Sequence, residues 1–142
     1  MSTLRNNRDR VLWSVGLHPH DAERWPDEHD EIVALAADAH AIGECGLDFY
    51  RNLAPREAQM VAFDEQLALA GSLGKPIIIH CRDAAEPMLA ELRARAERGA
   101  CPRGVMHCWS GTPDEMAAFA RAGVDAIMTD LPDVLLEVLA ET

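Results

Sequence analysis

Five residues able to bind a metal or move a proton, His18, Glu44, His80, His107 and Asp130, recur along this chain at intervals of 26, 36, 27 and 23 residues. Each stands in or just after a short apolar run, the runs spanning 11–17, 41–47, 76–81, 104–109 and 124–128, and Asp48 also closes the second of them. Imidazole and carboxylate together suit Zn, Mn, Fe or Mg with bound water, and such mixed sites usually keep a position open for substrate. Any one of these histidines alone reads as a hydrogen-bonded structural group. Three or four at equivalent positions read as a site. His18-Pro-His20 has the spacing that shares one strand face, but it follows its strand and leads into Asp21 and Trp25. Ligation, substrate contact and loop hydrogen bonding therefore stay open for it.

The elements that must carry these residues alternate. The five runs are too short for helices, are rich in β-branched residues and are bounded by turn formers, which predicts strands. Between them Met60, Phe63, Leu67 and Ala70 form a stripe of helical spacing, with Gly74 placed to end that helix. Thr112-Pro-Asp-Glu115 reads as a capping box closed by Gly123, and Asp83-Ala-Ala-Glu86 as a second box. Helical periodicity also runs through Ile32, Leu35 and Ala39 and from Asp133 to Leu139. Strand and helix in turn predict an α/β fold with a parallel sheet. No G-x-G-x-x-G or Walker sequence follows any strand, which favours a (β/α) barrel over an open doubly wound sheet. In a barrel the C-terminal strand ends open on one face, so the five residues would converge there. A complete barrel needs about 200 residues, so about five parallel βα units predict a partial, truncated TIM-type barrel.

Composition sets limits on partners. The chain has 142 residues, 49% hydrophobic and 26% charged, which excludes disorder and supports one core. Thirteen Lys and Arg against 24 Asp and Glu leave a net charge of −11, which argues against a broad basic surface for nucleic acid. A metal-assisted phosphodiesterase needs only a few local cations. Cys45, Cys81, Cys101 and Cys108 form no C-x-x-C pair and read as buried free thiols. No apolar run approaches the length of a membrane span, and the polar first ten residues lack a signal-peptide core. Both points predict a cytoplasmic protein without membrane contact.

Gly16-Leu-His-Pro-His-Asp21, Ile42-Gly-Glu-Cys-Gly-Leu-Asp-Phe-Tyr-Arg51, the helix 59–67, Lys75-Pro-Ile-Ile-Ile-His-Cys-Arg-Asp-Ala84 and His107-Cys-Trp-Ser-Gly-Thr112 with Glu115 resemble, in order and spacing, the TatD family of metal-dependent deoxyribonucleases. The resemblance covers roughly residues 11–123. It implies a TIM-barrel hydrolase that cleaves phosphodiester bonds, usually in DNA and often from the 3′ end, with one or two divalent ions, Mg, Mn or Zn. It further implies that Glu44 bridges two metals, that His80 and His107 bind one of them, that Arg51 and Arg82 contact phosphate, and that His18 faces the substrate. The family's leading Asp-x-His-x-His segment and its later Glu-Thr-Asp-x-Pro segment have no counterpart here. Asp130 is placed to stand in for the missing aspartate as a metal ligand, or else to cap the helix that follows it. The resemblance and these departures together imply one hydrolase domain over 1–142, lacking the first strand and the C-terminal part of the barrel, with one weak metal site and with DNA hydrolysis that is poor or absent. Strands left unpaired at 11–17 and 124–128 would recruit a second copy. The tail from Gly123 to Asp133 resembles glycerophosphodiester phosphodiesterases, the alternative enzyme class, although their histidine pair is not found. A non-catalytic remnant of the barrel is the third reading.

Overall fold

The computed structural model describes residues 11–141. Five parallel strands, β1 (Ser14–Val15), β2 (Ala41–Asp48), β3 (Ile77–Arg82), β4 (Gly104–Trp109) and β5 (Ala126–Thr129), lie side by side in chain order. The crossovers carry helices α1 (Trp25–Ala36), α2 (Arg56–Leu73), α3 (Ala85–Glu97) and α4 (Pro113–Arg121), and α5 (Pro132–Glu141) follows β5. A 3-10 segment, Pro19–Arg24, leads into α1. Parallel crossovers are right-handed, so a strictly sequential order puts every helix on the same side of the sheet. That is barrel-type winding, whereas a doubly wound sheet reverses its order.

The core confirms the one-sided layering. Ile42, Cys45 and Leu47 of β2, Ile77 and Ile79 of β3 and Met106 of β4 are buried in one cluster with Phe63 and Leu67 of α2, Met88 and Leu92 of α3, and Met116 and Phe119 of α4. Along β3 the buried residues alternate with half-buried Ile78, His80 and Arg82. Because strand side chains alternate faces, the face away from the helices carries the chemistry. No helix among the described residues is long and apolar enough to cross a membrane.

Several boundaries differ from the sequence expectation for identifiable reasons. The run 11–17 yields only two strand residues, because Gln66 takes both the N–H and the C=O of Leu17 and ends the ladder. The run 124–128 starts its strand at Ala126, since Val124 N–H bonds Phe119 O in closing α4. The Asp83 capping box does not form. Asp83 has φ 51° and stands one residue before the N-cap, Ala84, which has no side-chain cap bond. The Thr112–Glu115 box is present with both of its reciprocal bonds, and Gly74 ends α2 at φ 63°.

Of the four thiols, which are all free, Cys45 and Cys81 are buried but Cys101 and Cys108 are exposed. Cys108 has φ 51° at the end of β4, which breaks the alternation that would have turned it inward. Burial pushes both inner thiols up, Cys81 to about 12. A thiolate-selective reagent will therefore titrate two thiols in the native chain and four in denaturant. Four fast-reacting thiols under native conditions would contradict this packing.

Candidate active site

The parallel register decides which strand residues meet. Gly46 is opposite His80 and Ile79 opposite Met106, so Glu44, Gly46 and Asp48 of β2, His80 of β3 and His107 of β4 share the helix-free face. Glu44 Oε1 lies 3.3 Å from His80 Nδ1 and 3.1 Å from His107 Nδ1. Asp48 Oδ2 lies 3.0 Å from His80 Nε2 and 2.8 Å from His20 Nε2. The His18 ring packs edge-on against His20 and His80, with centroids at 4.3 and 4.7 Å.

Asp48 organises this cluster. Its side chain is 1% exposed. Burial alone would raise its pKa, but hydrogen bonds from the Arg51 N–H and from His20 and His80 outweigh that and hold it at about 2. The carboxylate is thus an acceptor only, and the tautomers follow: His20 and His80 each present an Nε2–H to Oδ2. Oδ1 accepts the backbone N–H groups of Tyr50 at 3.1 Å and Arg51 at 2.8 Å. With its Nε2 proton committed, His80 turns Nδ1 toward Glu44 Oε1, the oxygen that His107 Nδ1 also faces.

A lone pair on Nδ1 against a carboxylate oxygen is repulsive unless a proton or a cation lies between them. Two imidazole nitrogens and one carboxylate oxygen, partly open to solvent, form the donor set that divalent metals take. An imidazole held through its other nitrogen by a carboxylate is also the usual support of a metal-binding histidine. Glu44, His80 and His107 thus supply donor atoms of the kinds a divalent ion takes, with each imidazole facing the same Glu44 oxygen. Among the described residues, the ring nitrogens that all lie within 4.8 Å of one another are those of His18, His20 and His80. An ion there would compete with Asp48, which already holds Nε2 of both His20 and His80.

His18 has a different character. Its Nδ1 accepts the His20 backbone N–H at 3.3 Å. Burial, then the neighbouring His80 and His20, lower its pKa. A neutral ring with Nδ1 engaged leaves Nε2–H as a donor. The half-buried Arg82 guanidinium stands 4.0 Å over the Tyr50 ring. Arg51 is exposed and meets the cluster through its backbone N–H. Asp130 follows β5 at the same end of the sheet, but it is exposed, and among the described residues no hydrogen bond or ion pair joins it to the cluster.

Two buried glutamines of α2 hold the segments that bear the site, and the reading from residue types passed over both. Gln66 accepts Leu17 N–H at 2.7 Å and donates to Leu17 O at 3.2 Å, fixing the backbone next to His18. Gln59 accepts Asp48 N–H at 2.8 Å and donates to Asp48 O at 3.2 Å. The available signal was two glutamines seven apart, two helical turns, in register with the apolar stripe of Phe63 and Leu67. Gln66→Leu strands the Leu17 N–H and C=O in the core and will destabilise the chain by about 2–4 kcal/mol in urea denaturation. A loss below about 0.5 kcal/mol would show that this clamp carries no weight. Asp48 and His20 were legible in part, Asp48 lying on the same strand face as Glu44.

The sequence profile of TatD related DNase matches residues 1–130, wider at both ends than the 11–123 on which the resemblance stood. The chain belongs to this family. The 3'-5' ssDNA/RNA exonuclease TatD of Enterobacter lignolyticus is 45% identical over 121 residues, covering 82% of this chain and 46% of that protein. The protein of the same name from Erwinia billingiae is 40% identical over 131 residues, 89% of this chain and 49% of its own length. Among solved structures, the TatD homologue YJJV from Escherichia coli K12 superposes with a TM-score of 0.72 at 28% identity, covering 87% of this chain and 48% of that one. A TatD family hydrolase from Entamoeba histolytica gives 0.71 at 25% identity, covering 87% and 44%. The chain thus spans about half the length of the relatives it matches.

Proposed function

We propose that this TatD-family chain carries the metal centre of a hydrolase that cleaves phosphodiester bonds in single-stranded nucleic acid. The observation that carries the reading is Glu44 Oε1 facing the Nδ1 atoms of His80 and His107, with the His80 tautomer set from behind by Asp48. The relatives are named 3'-5' ssDNA/RNA exonucleases, which supplies the substrate class. A divalent ion held by these three residues would polarise a phosphoryl oxygen and make bound water acidic enough to attack at neutral pH.

The chain's own residues do the rest. Arg82, two residues beyond His80 on the same strand face, offers a planar fork to the non-bridging phosphate oxygens, and Arg51 adds a second cation at the rim. His18 directs its Nε2–H to an oxygen of the substrate. Glu44 would supply an oxygen to a second ion as well, for which Asp130 at the end of β5 is the further carboxylate in reach of the chain.

The test is calorimetric titration of the full chain with manganese and with zinc, followed by incubation with 3′-labelled single-stranded DNA. Binding of at least one ion per chain, and metal-dependent release of 3′ nucleotides that chelator abolishes, are expected. No metal binding would overturn the reading. Metal binding without any turnover would leave a binding module rather than a catalyst.

A further inference from the structure

Tyr50 presents a puzzle that the metal centre does not absorb. It is the only tyrosine of the chain, and it is 59% exposed although its backbone is tightly held. Its N–H bonds Asp48 Oδ1, the other oxygen of the carboxylate that orients His80 and His20. The preceding N–H, that of Phe49, bonds Arg82 O at 2.9 Å and extends the β2–β3 ladder into the turn. The backbone that bears the ring therefore has a fixed place relative to the candidate ligands, and the Arg82 guanidinium lies 4.0 Å over the ring.

A large aromatic surface left in water on a rigid turn gains nothing for folding. An exposed ring paired with a guanidinium beside a phosphate-cleaving centre is the arrangement that holds a nucleobase by stacking while cations hold the backbone. In a chain of net charge −11, Arg51 and Arg82 gather at this rim, and Arg56 packs 4.4 Å over the adjacent Phe49 ring. We propose that Tyr50 is the stacking platform for a nucleobase of single-stranded nucleic acid, seating the base while Arg82 reaches the neighbouring phosphate. The inference rests on the function proposed above and assigns the base, rather than the phosphate alone, as a recognised part of the substrate. A phenol needs no hydrogen bond to stack, so every base is accepted, in keeping with a sequence-tolerant nuclease.

The experiment uses the full chain and a short single-stranded DNA carrying one 5-iodouracil or one abasic position near its 3′ end. Irradiation is expected to cross-link the iodinated base to Tyr50, as read by peptide mass spectrometry. Tyr50→Ala should weaken binding of the intact oligonucleotide by about ten-fold or more, while Tyr50→Phe and Tyr50→Trp restore it. Removing the base should weaken binding to the unmodified chain by a similar factor and add little in Tyr50→Ala, the coupling expected of a direct contact. Equal affinities for the unmodified chain and Tyr50→Ala, a cross-link mapping elsewhere, or no binding at all would overturn the proposal. Metal-dependent hydrolysis of methyl p-nitrophenyl phosphate, a diester without a base, separates the two readings. Hydrolysis without Tyr50 dependence of DNA binding refutes the platform alone, and Tyr50-dependent binding without hydrolysis refutes the nuclease alone.

Discussion

If the proposed metal centre and nuclease activity hold, His107→Ala is expected to weaken the binding of manganese by more than about 100-fold and to lower nuclease turnover by about 10³-fold, with the fold intact. The ranking of ligands fixes these magnitudes. Residues that only support a metal-binding imidazole cost about 10- to 100-fold in affinity or activity when removed. Deleting a donor atom itself must exceed that. Stabilisation by a bound metal amounts to several kcal/mol at the transition state, and each 1.4 kcal/mol is a factor of ten in rate. His107 is part-exposed and makes its one carboxylate contact through Nδ1 to Glu44, so its loss leaves no buried group unpaired. Asp48→Asn serves as the graded comparison: it keeps the three donors and loses the charged acceptor that holds both His80 and His20, so its effect is expected within the roughly 10- to 100-fold range. Calorimetry reads the affinities and labelled DNA reads the rates. Equal manganese affinity in His107→Ala and the unmodified chain would remove His107 from the metal centre.

Gly46→Ala lowers stability by about 4 kcal/mol and the melting temperature by about 10 °C. Gly46 has φ 138°, a conformation that side chains rarely adopt, and a Cβ there would come 2.0 Å from His80 O and 2.9 Å from His80 C. Those atoms are backbone in the centre of the sheet and cannot swing aside as a side chain would. Relief requires β2 and β3 to separate at the point where Glu44, Asp48 and His80 meet, so metal affinity falls together with stability. Gly74→Ala is the control. Gly74 also has positive φ, 63°, but nothing lies within 4 Å of its added Cβ, so only the left-handed backbone cost of about 1–2 kcal/mol applies. Thermal unfolding of both variants checks the difference. A Gly46→Ala chain as stable as Gly74→Ala would show that the strands tolerate the contact.

The alternation of apolar runs with helical stripes was enough to establish parallel α/β winding, because period two and period 3.6 are properties of the chain that no partner need supply. The same reading located β2, β3 and β4 to within a residue or two. It failed at the edges, where a tertiary bond competed with the ladder: Gln66 ends β1 by capturing Leu17, and the closing turn of α4 delays β5. It misjudged Cys108 and the Asp83 box for a related reason, since both residues turn to φ 51°, which residue type does not announce.

For the site, residue type and spacing singled out His18, Glu44, His80, His107 and Asp130, since a barrel gathers strand ends whatever the detail of its packing. The first four meet, while among the described residues no hydrogen bond or ion pair joins Asp130 to them. Which nitrogen His20 and His80 offer follows from Asp48 holding Nε2 of both, a contact that exists only once the register sets Gly46 beside His80. The central place of Asp48 was likewise invisible, because its two oxygens serve groups from three segments: His20, His80 and the turn at Tyr50 and Arg51. Sequence periodicity records which face a residue takes along its own strand. The charge on Asp48, the tautomer of His80 and the exposed seat of Tyr50 depend on atoms brought within about 3 Å from elsewhere in the chain, and those contacts exist only once the sheet has formed.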